Sequence, residues 1–176
     1  MSHLLVTESV NQDSQHRLAQ PDLSITAIRE FLSFTLGKEE YAMDIMCVQE
    51  IRSYEQPTRM ANTPNFIIGM VNLRGVIVPI IDMRIKYNLQ QVDYNRFTVV
   101  IILNIGTHVV GIVVDGVSDV ITFSLEQLHP APDIESTIGS NHVLAIGSVA
   151  DRMLILLDIK KLLSSAEMGL IEETTL

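Results

Sequence analysis

Covalent staples, aromatic anchors, basic clusters and long apolar runs are all scarce or missing in this sequence, and each shortage excludes something. The one cysteine, Cys47, cannot close an internal disulfide, and an unstapled chain with no basic-then-apolar opening segment is expected in the cytoplasm. The longest apolar runs, residues 76–81 and 109–114, are six residues long, whereas a membrane-spanning helix needs about 20. Lysine and arginine never cluster, and the net charge is -9, so phosphate backbones and anionic membrane surfaces are poor partners. That charge is spread: residues 1–28 carry Glu8, Asp13 and Asp22 against Arg17, residues 164–176 carry Glu167, Glu172 and Glu173, and the middle holds the remainder.

The usual marks of catalysis are missing as well. There is no G-x-S-x-G elbow, phosphate loop or dinucleotide fingerprint. His3, His16, His108, His129 and His142 have no metal-type spacing with one another or with Cys47, so they read as solvated or hydrogen-bonding side chains and no metal or cofactor is expected. Asp115, Asp119, Glu39 and Glu40 lie beside glycines or turns and read as solvated turn residues. Cys47, between Met46 and Val48, reads as a small half-buried core residue.

What is present is aliphatic. Of 176 residues 47% are hydrophobic and only 5% aromatic, and the rows hold 21 Ile and 17 Val. Mean hydropathy is +0.29, which excludes general disorder. Stiff β-branched side chains in that number favour strands, so the fold is expected to be mainly β. Residues 1–28 are polar and without period, and read as a flexible lead-in. Strand patterns begin at residue 31, and a short helix is expected over 158–168 after Asp158 as N-cap. Shorter helical turns are expected at residues 63–69 and 83–87. Pro79, which cannot donate to a ladder, argues that its strand lies at an edge or starts there.

The chain repeats itself. At a spacing of 69 residues, Gly37 matches Gly106, Tyr41 matches Val110, Ala42 matches Gly111, Val48 matches Val117, and Glu50 matches Asp119. At a spacing of 76, Ile80-Ile81-Asp82-Met83 matches Leu156-Leu157-Asp158-Ile159, and Ile68-Gly69 matches Leu144-Ala145. The difference is a longer loop in the second half, placed at residues 128–140. Each copy has the size of a small barrel. Arg74, followed by Gly75, sits in a tight turn between two strands, where a guanidinium can brace a carboxylate beside a binding surface. Glu50 is its expected partner.

These residues also carry a family resemblance. Phe31-Leu32-Ser33-Phe34-Thr35-Leu36-Gly37, Asn62-Thr63-Pro64, Asn72-Leu73-Arg74-Gly75, Val78-Pro79-Ile80-Ile81-Asp82 and Val114-Asp115-Gly116-Val117 resemble the CheW chemotaxis coupling family, over roughly residues 30–168. The resemblance implies two SH3-like five-stranded β-barrel subdomains, the first about 29–90 and the second about 93–157, then a C-terminal helix at about 158–168 and an acidic tail at 169–176. It implies a non-enzymatic adaptor that links chemoreceptors of the methyl-accepting type to the regulatory domain of the histidine kinase CheA, with further copies joining in rings. Its place would be at receptor arrays on the inner face of the membrane, touching the membrane only through receptors. An adaptor of a non-flagellar chemosensory system is the neighbouring alternative. A small-ligand-binding β-barrel would need a deep pocket with convergent polar groups.

Carried over by motif, the receptor-facing groove comprises Val48, Gly69, Arg74, Val99, Val100, Gly111 and Val117, with Gly111 small so that a helix tip can approach. On that view Gly111→Asp or Arg74→His abolishes receptor coupling and leaves the barrels folded. The kinase-facing residues are Glu50 and Ile51, with a second contact at Asp133 and Ile134. The chain departs from the family at Ile134, where an aromatic residue is common, and at Ala145, where glycine is usual and a turn would be tightened.

Overall fold

The computed structural model describes residues 29–89, 92–106, 108–131 and 140–164. The expected lead-in, the acidic tail and the end of the last helix lie outside the described residues, as do Asp133 and Ile134. β1 (Glu30–Leu36) and β2 (Glu39–Asp44) form a hairpin. The Asp44 carboxylate accepts from the Met46 N–H and starts a 3₁₀ turn at Ile45–Cys47, which delivers the chain to β3 (Val48–Ser53). β4 (Ile67–Leu73) and β5 (Val76–Asp82) make a second hairpin, and Asp82 caps the single helical turn α1 (Met83–Lys86).

The order then recurs as β6 (Val99–Asn104), β7 (Val109–Val114), β8 (Gly116–Thr122), the two-residue β9 (Leu128–His129), β10 (Val143–Val149), β11 (Arg152–Leu157) and α2 (Ile159–Ser164). Asp158 caps α2 as its sequence position suggests, accepting from the Lys161 N–H at 3.0 Å. At residues 63–69 there is no helix. A turn closed by the Ile67 N–H donating to the Pro64 carbonyl leads straight into β4, where Ile67 and Ile68 favour extended backbone. Among the described residues no helix is long and apolar enough to cross a membrane.

The strands form a six-stranded sheet, β8-β1-β2-β11-β10-β9, and a five-stranded sheet, β3-β6-β7-β5-β4. The internal repeat is kept to the residue. Leu156 pairs with Ala42 across the parallel β11–β2 ladder, and Ile80 pairs with Gly111 across β5–β7; these pairs are related by the spacings of 76 and 69. Register shifts recur at the same place, between Ile67 and Gly69 and between Val143 and Ala145. Even the closure repeats: Thr58 bridges Met70, and His129 pairs with Ile146, which lies 76 residues after Met70.

The sheets do not divide the chain at residue 90. Each takes the first hairpin of one copy and the later strands of the other, so β1–β2 joins β8, β9, β10 and β11, while β6–β7 joins β3, β4 and β5. The sequence pattern permits either arrangement, because the two copies present nearly equivalent strand edges to either hairpin. Pro79 likewise lies on an interior strand, since β5 sits between β7 and β4. Its missing donor is tolerated because opposite Met70 directs its own N–H and C=O to Thr58, and the β7 ladder begins only at Ile80.

Three apolar clusters result. Phe31, Ala42, Ile121, Leu128, Ala145, Leu154 and Leu156 fill the six-stranded barrel, and Leu73, Val78, Ile80, Val100, Ile102 and Val113 fill the five-stranded one. A larger cluster that includes Leu32, Phe34, Met43, Ile101, Leu103 and Ile112 packs the two sheets against each other and contains Cys47. Ala145 lies within β10, not in a turn, so its extra methyl fills the barrel interior.

Gly111 faces the five-stranded interior, where a Cβ would meet Ile80 Cδ1 at 2.5 Å and Val100 Cγ1 at 3.0 Å. Overfilling a tight core costs about 1–3 kcal/mol. Gly111→Ala is therefore expected to lower unfolding free energy by about that much, and Ile80→Val, which removes the clashing methyl, to recover part of it. Urea denaturation of the two single variants and the double variant measures the coupling; strictly additive losses would show that the clash is not with Ile80.

Candidate functional site

β3 forms one edge of its sheet, and its bulge between Val48 and Glu50 sets which residues face which way. Glu50 and Arg52 stand opposite Ile102 and Val100, on the side of the barrel interior. Val48 and Ile51 stand opposite Leu103 and Ile101, on the side of the core shared by both sheets. Ile51 reaches the surface and is 43% exposed. One strand thus offers a charged face and an apolar face at the same edge.

The Asn72-Leu73-Arg74-Gly75 block is the β4–β5 turn. Arg74 and Gly75 have φ +50° and +89°, the two left-handed residues that a type I′ hairpin turn requires, and the Gly75 N–H donates to Asn72 Oδ1 at 2.8 Å. This turn aims Arg74 at β3, where Nη2 donates to Glu50 Oε2 at 2.8 Å, and Arg52 Nη1 donates to Oε1 at 3.1 Å. The pairing expected from the sequence is present. Those hydrogen bonds, that of Arg74 foremost, hold the Glu50 carboxyl below the usual carboxylate range. Beside the turn lie Val76 and Ile77, exposed by 51% and 58%. The sequence reading passed over both, although a β-branched pair next to a turn arginine is a visible signal.

The residues assigned to a receptor groove separate into two groups. Val48, Val99 and Val117 are half-buried at the margin of the core shared by the two sheets. Val100 and Gly111 are not at that margin, because both point into the five-stranded barrel. Gly69 is a close-approach position on β4: a Cβ there would fall on the Thr58 carbonyl, which accepts the Met70 N–H. Gly111 is small because its barrel is full, and Gly111→Asp would place a carboxylate there, so it is expected to unfold the barrel and not to spare it.

The second copy carries an ionic cluster at the matching place. Asp119, the counterpart of Glu50, accepts from Ser33 Oγ at 2.6 Å and from Arg152 Nη2 at 3.2 Å. Arg152 also donates to Glu40 Oε1 at 2.8 Å. Arg152, then Ser33, pulls the Asp119 carboxyl below its ordinary value.

The carboxylates read as solvated turn residues are in fact all engaged. Glu39 accepts from the Tyr41 hydroxyl, and Asp115 joins an ion pair with Arg84, whose side chain is fully buried. Arg84 Nε and Nη2 also grip the Asp82 carboxylate at 3.0 and 2.9 Å. Burial pulls the Arg84 pKa down, and the Asp82 and Asp115 carboxylates outweigh it, so the group stays charged. Asp115 lies 31 residues from Arg84, so no local spacing pointed to it. Cys47 is buried, and burial raises its thiol pKa. His142 departs from the reading of the histidines, since its Nδ1 is buried without a hydrogen-bond partner.

An open cleft of about 570 Å³ lies under the 54–65 loop, lined by Tyr54, Arg59, Met60, Thr63, Pro64 and Tyr94 among others. Its lining includes no carboxylate, imidazole or thiol.

Glu50 and Asp119 both bind a proton less readily in the fold than in the unfolded chain, whose carboxyls titrate near 4.5 and 3.8. The stability they confer is complete above those values and disappears as pH falls through the lowered folded ones. The Tm gap between wild type and Glu50→Gln/Asp119→Asn is thus expected to be modest, because both sites touch solvent. It should be largest near neutral pH and close as pH falls through the lowered folded values. A gap independent of pH would show that the carboxylate charge is not what matters.

Comparison with known proteins agrees with this architecture. The model of the CheW-like domain family matches residues 30–167. Chemotaxis protein CheW of Klebsiella aerogenes is 58% identical over 147 residues, covering 84% of this chain and 89% of that protein. The probable chemotaxis protein CheW of Rhizobium etli is 34% identical over 139 residues, covering 79% and 90%. The crystal structure of scaffolding protein TtCheW from Thermoanaerobacter tengcongensis superposes with a TM-score of 0.72 at 29% identity, covering 80% of this chain and 95% of that one. The doubled strand pattern, the Asn-Leu-Arg-Gly turn braced on Glu50 and these matches lead to one conclusion: the chain belongs to the CheW family of chemotaxis proteins.

Proposed function

We propose that the chain is a non-catalytic adaptor that joins chemoreceptors to the regulatory domain of the histidine kinase CheA, in the cytoplasm at receptor arrays. The observation that carries this reading is the edge strand β3 with its two faces. Glu50, pinned by Arg74 and Arg52, and exposed Ile51 supply a fixed charge beside an apolar side chain, the composition of a protein-binding edge. Val48, Val99 and Val117, half-buried at the margin of the core between the sheets, are assigned to the receptor contact on the family resemblance, as apolar side chains suited to the apolar stripe of a receptor helix. Arg74, Gly69, Val100 and Gly111 support these surfaces through the turn and the barrel interior. Asp133 and Ile134 are assigned to a second kinase contact on the strength of the family resemblance. Two surfaces on one rigid scaffold are what a coupling protein needs, and contacts of this kind would also let copies join in rings.

Titration of the purified chain with the isolated kinase regulatory domain and with a receptor signalling fragment tests the reading. Both should bind. Ile51→Asp should weaken the kinase domain by about tenfold and leave the receptor fragment nearly unaffected, and Val117→Asp should do the reverse, each placing a charge at an apolar contact. Absence of binding to either partner by the wild-type chain would overturn the assignment.

A further inference from the structure

Arg84 is the one cation among the described residues with a fully buried side chain, and each of its guanidinium nitrogens is engaged. Nε and Nη2 hold Asp82, while Nη1 donates both to the Asp93 carbonyl at 2.6 Å and to Asp115 Oδ1 at 3.0 Å. The Tyr94 ring lies 4.9 Å from the guanidinium carbon, and its hydroxyl donates to Asp82 Oδ2 at 2.7 Å. These partners come from three separate segments. Asp82 and Arg84 join β5 to α1. Asp93 precedes β6, and its carbonyl also accepts from Thr98 Oγ1 at 3.2 Å, so the approach to Val99 is clamped. Asp115 is the single residue between β7 and β8, where the chain passes from one sheet to the other. Its second oxygen accepts from the Gly37 N–H at 2.7 Å, and its own N–H donates to the Thr35 carbonyl at 3.1 Å.

One guanidinium therefore fixes the starts of β6 and β8, and those strands open with Val99 and with Gly116-Val117. Glu50 and Ile51 lie mid-way along β3 and are held by other groups, Arg74, Arg52 and the β6 ladder. We infer that Arg84, through Asp115 and the Asp93 carbonyl, is a positioning residue for the Val99 and Val117 part of the receptor-facing surface and not for the β3 edge that carries Glu50 and Ile51. This inference rests on the adaptor reading above. The partners of Arg84 need a planar fork with several donors, which a lysine ammonium does not reproduce.

Two variants test it. Arg84→Lys keeps a cation but cannot span Asp82, Asp93 and Asp115 together. Asp115→Asn leaves the Asp82 grip intact and alters a side chain that is already 32% exposed, so it keeps the fold and decides the matter alone if Arg84→Lys does not. Receptor-fragment affinity is expected to fall about tenfold, the effect of losing a charged hydrogen bond, while kinase-domain affinity stays within about twofold. Amide resonances of Gly37, Val99 and Val117 should shift more than those of Glu50 and Ile51. If wild type binds both partners and Asp115→Asn retains its receptor affinity, or loses both affinities in parallel, the inference is wrong. If wild type binds neither partner, the adaptor reading fails instead.

Discussion

Strand β6 is buried on both faces. Val100 and Ile102 fill the five-stranded barrel, while Ile101 and Leu103 face away from it into the cluster shared with the six-stranded sheet. β1 does the same on the other side, with Phe31 inward and Leu32, Phe34 and Leu36 outward. A barrel wall that is apolar inside and out cannot face water, so each barrel must cover the other. The excess of Ile and Val is the composition such a wall demands, because β-branched side chains pack on both sides of a pleated strand. The association of the two barrels is thus written into individual strands and is not added to two finished domains.

Against this apolar background a few charges acquire fixed places. A fully buried guanidinium is tolerable only if its hydrogen bonds and charge are matched, and Arg84 recruits two carboxylates, a carbonyl and an aromatic ring to do so. The second copy has Lys160 where the first has Arg84, and that lysine is exposed beside Asp158. At the other end of the barrels the pattern is reversed in detail: Glu50 is held by Arg74 from a turn, whereas Asp119 is held by Arg152 from a strand, in company with Glu40. The duplication has kept its apolar register while its ionic contacts have diverged. That divergence is what gives two similar barrels different surfaces.

Much of this was legible in the chain. The spacings of 69 and 76 located equivalent strands, and the same residues pair in the equivalent ladders. The Arg74-Gly75 turn and the Asp158 cap follow from local rules of turn and helix chemistry, whereas the Glu50–Arg74 pair, 24 residues apart, was legible only through the place of the two residues in matching loops of one barrel. The inward direction of Gly111 and Val100 was not legible, because a glycine or valine in an alternating strand has the same sequence signature on either face of a wall that is apolar on both.

The sequence by itself determined the strands, their repeat, the tight turns and the family, since these depend on residues a few positions apart or on a pattern repeated along the chain. Only the tertiary structure decided that the hairpins exchange between copies, that Pro79 lies inside a sheet, and that Arg84 meets Asp115. The physical reason is common to all three. Each depends on which of several equivalent edges or charges comes close in space, and that choice is made by closing two barrels over one shared core, which no local spacing encodes.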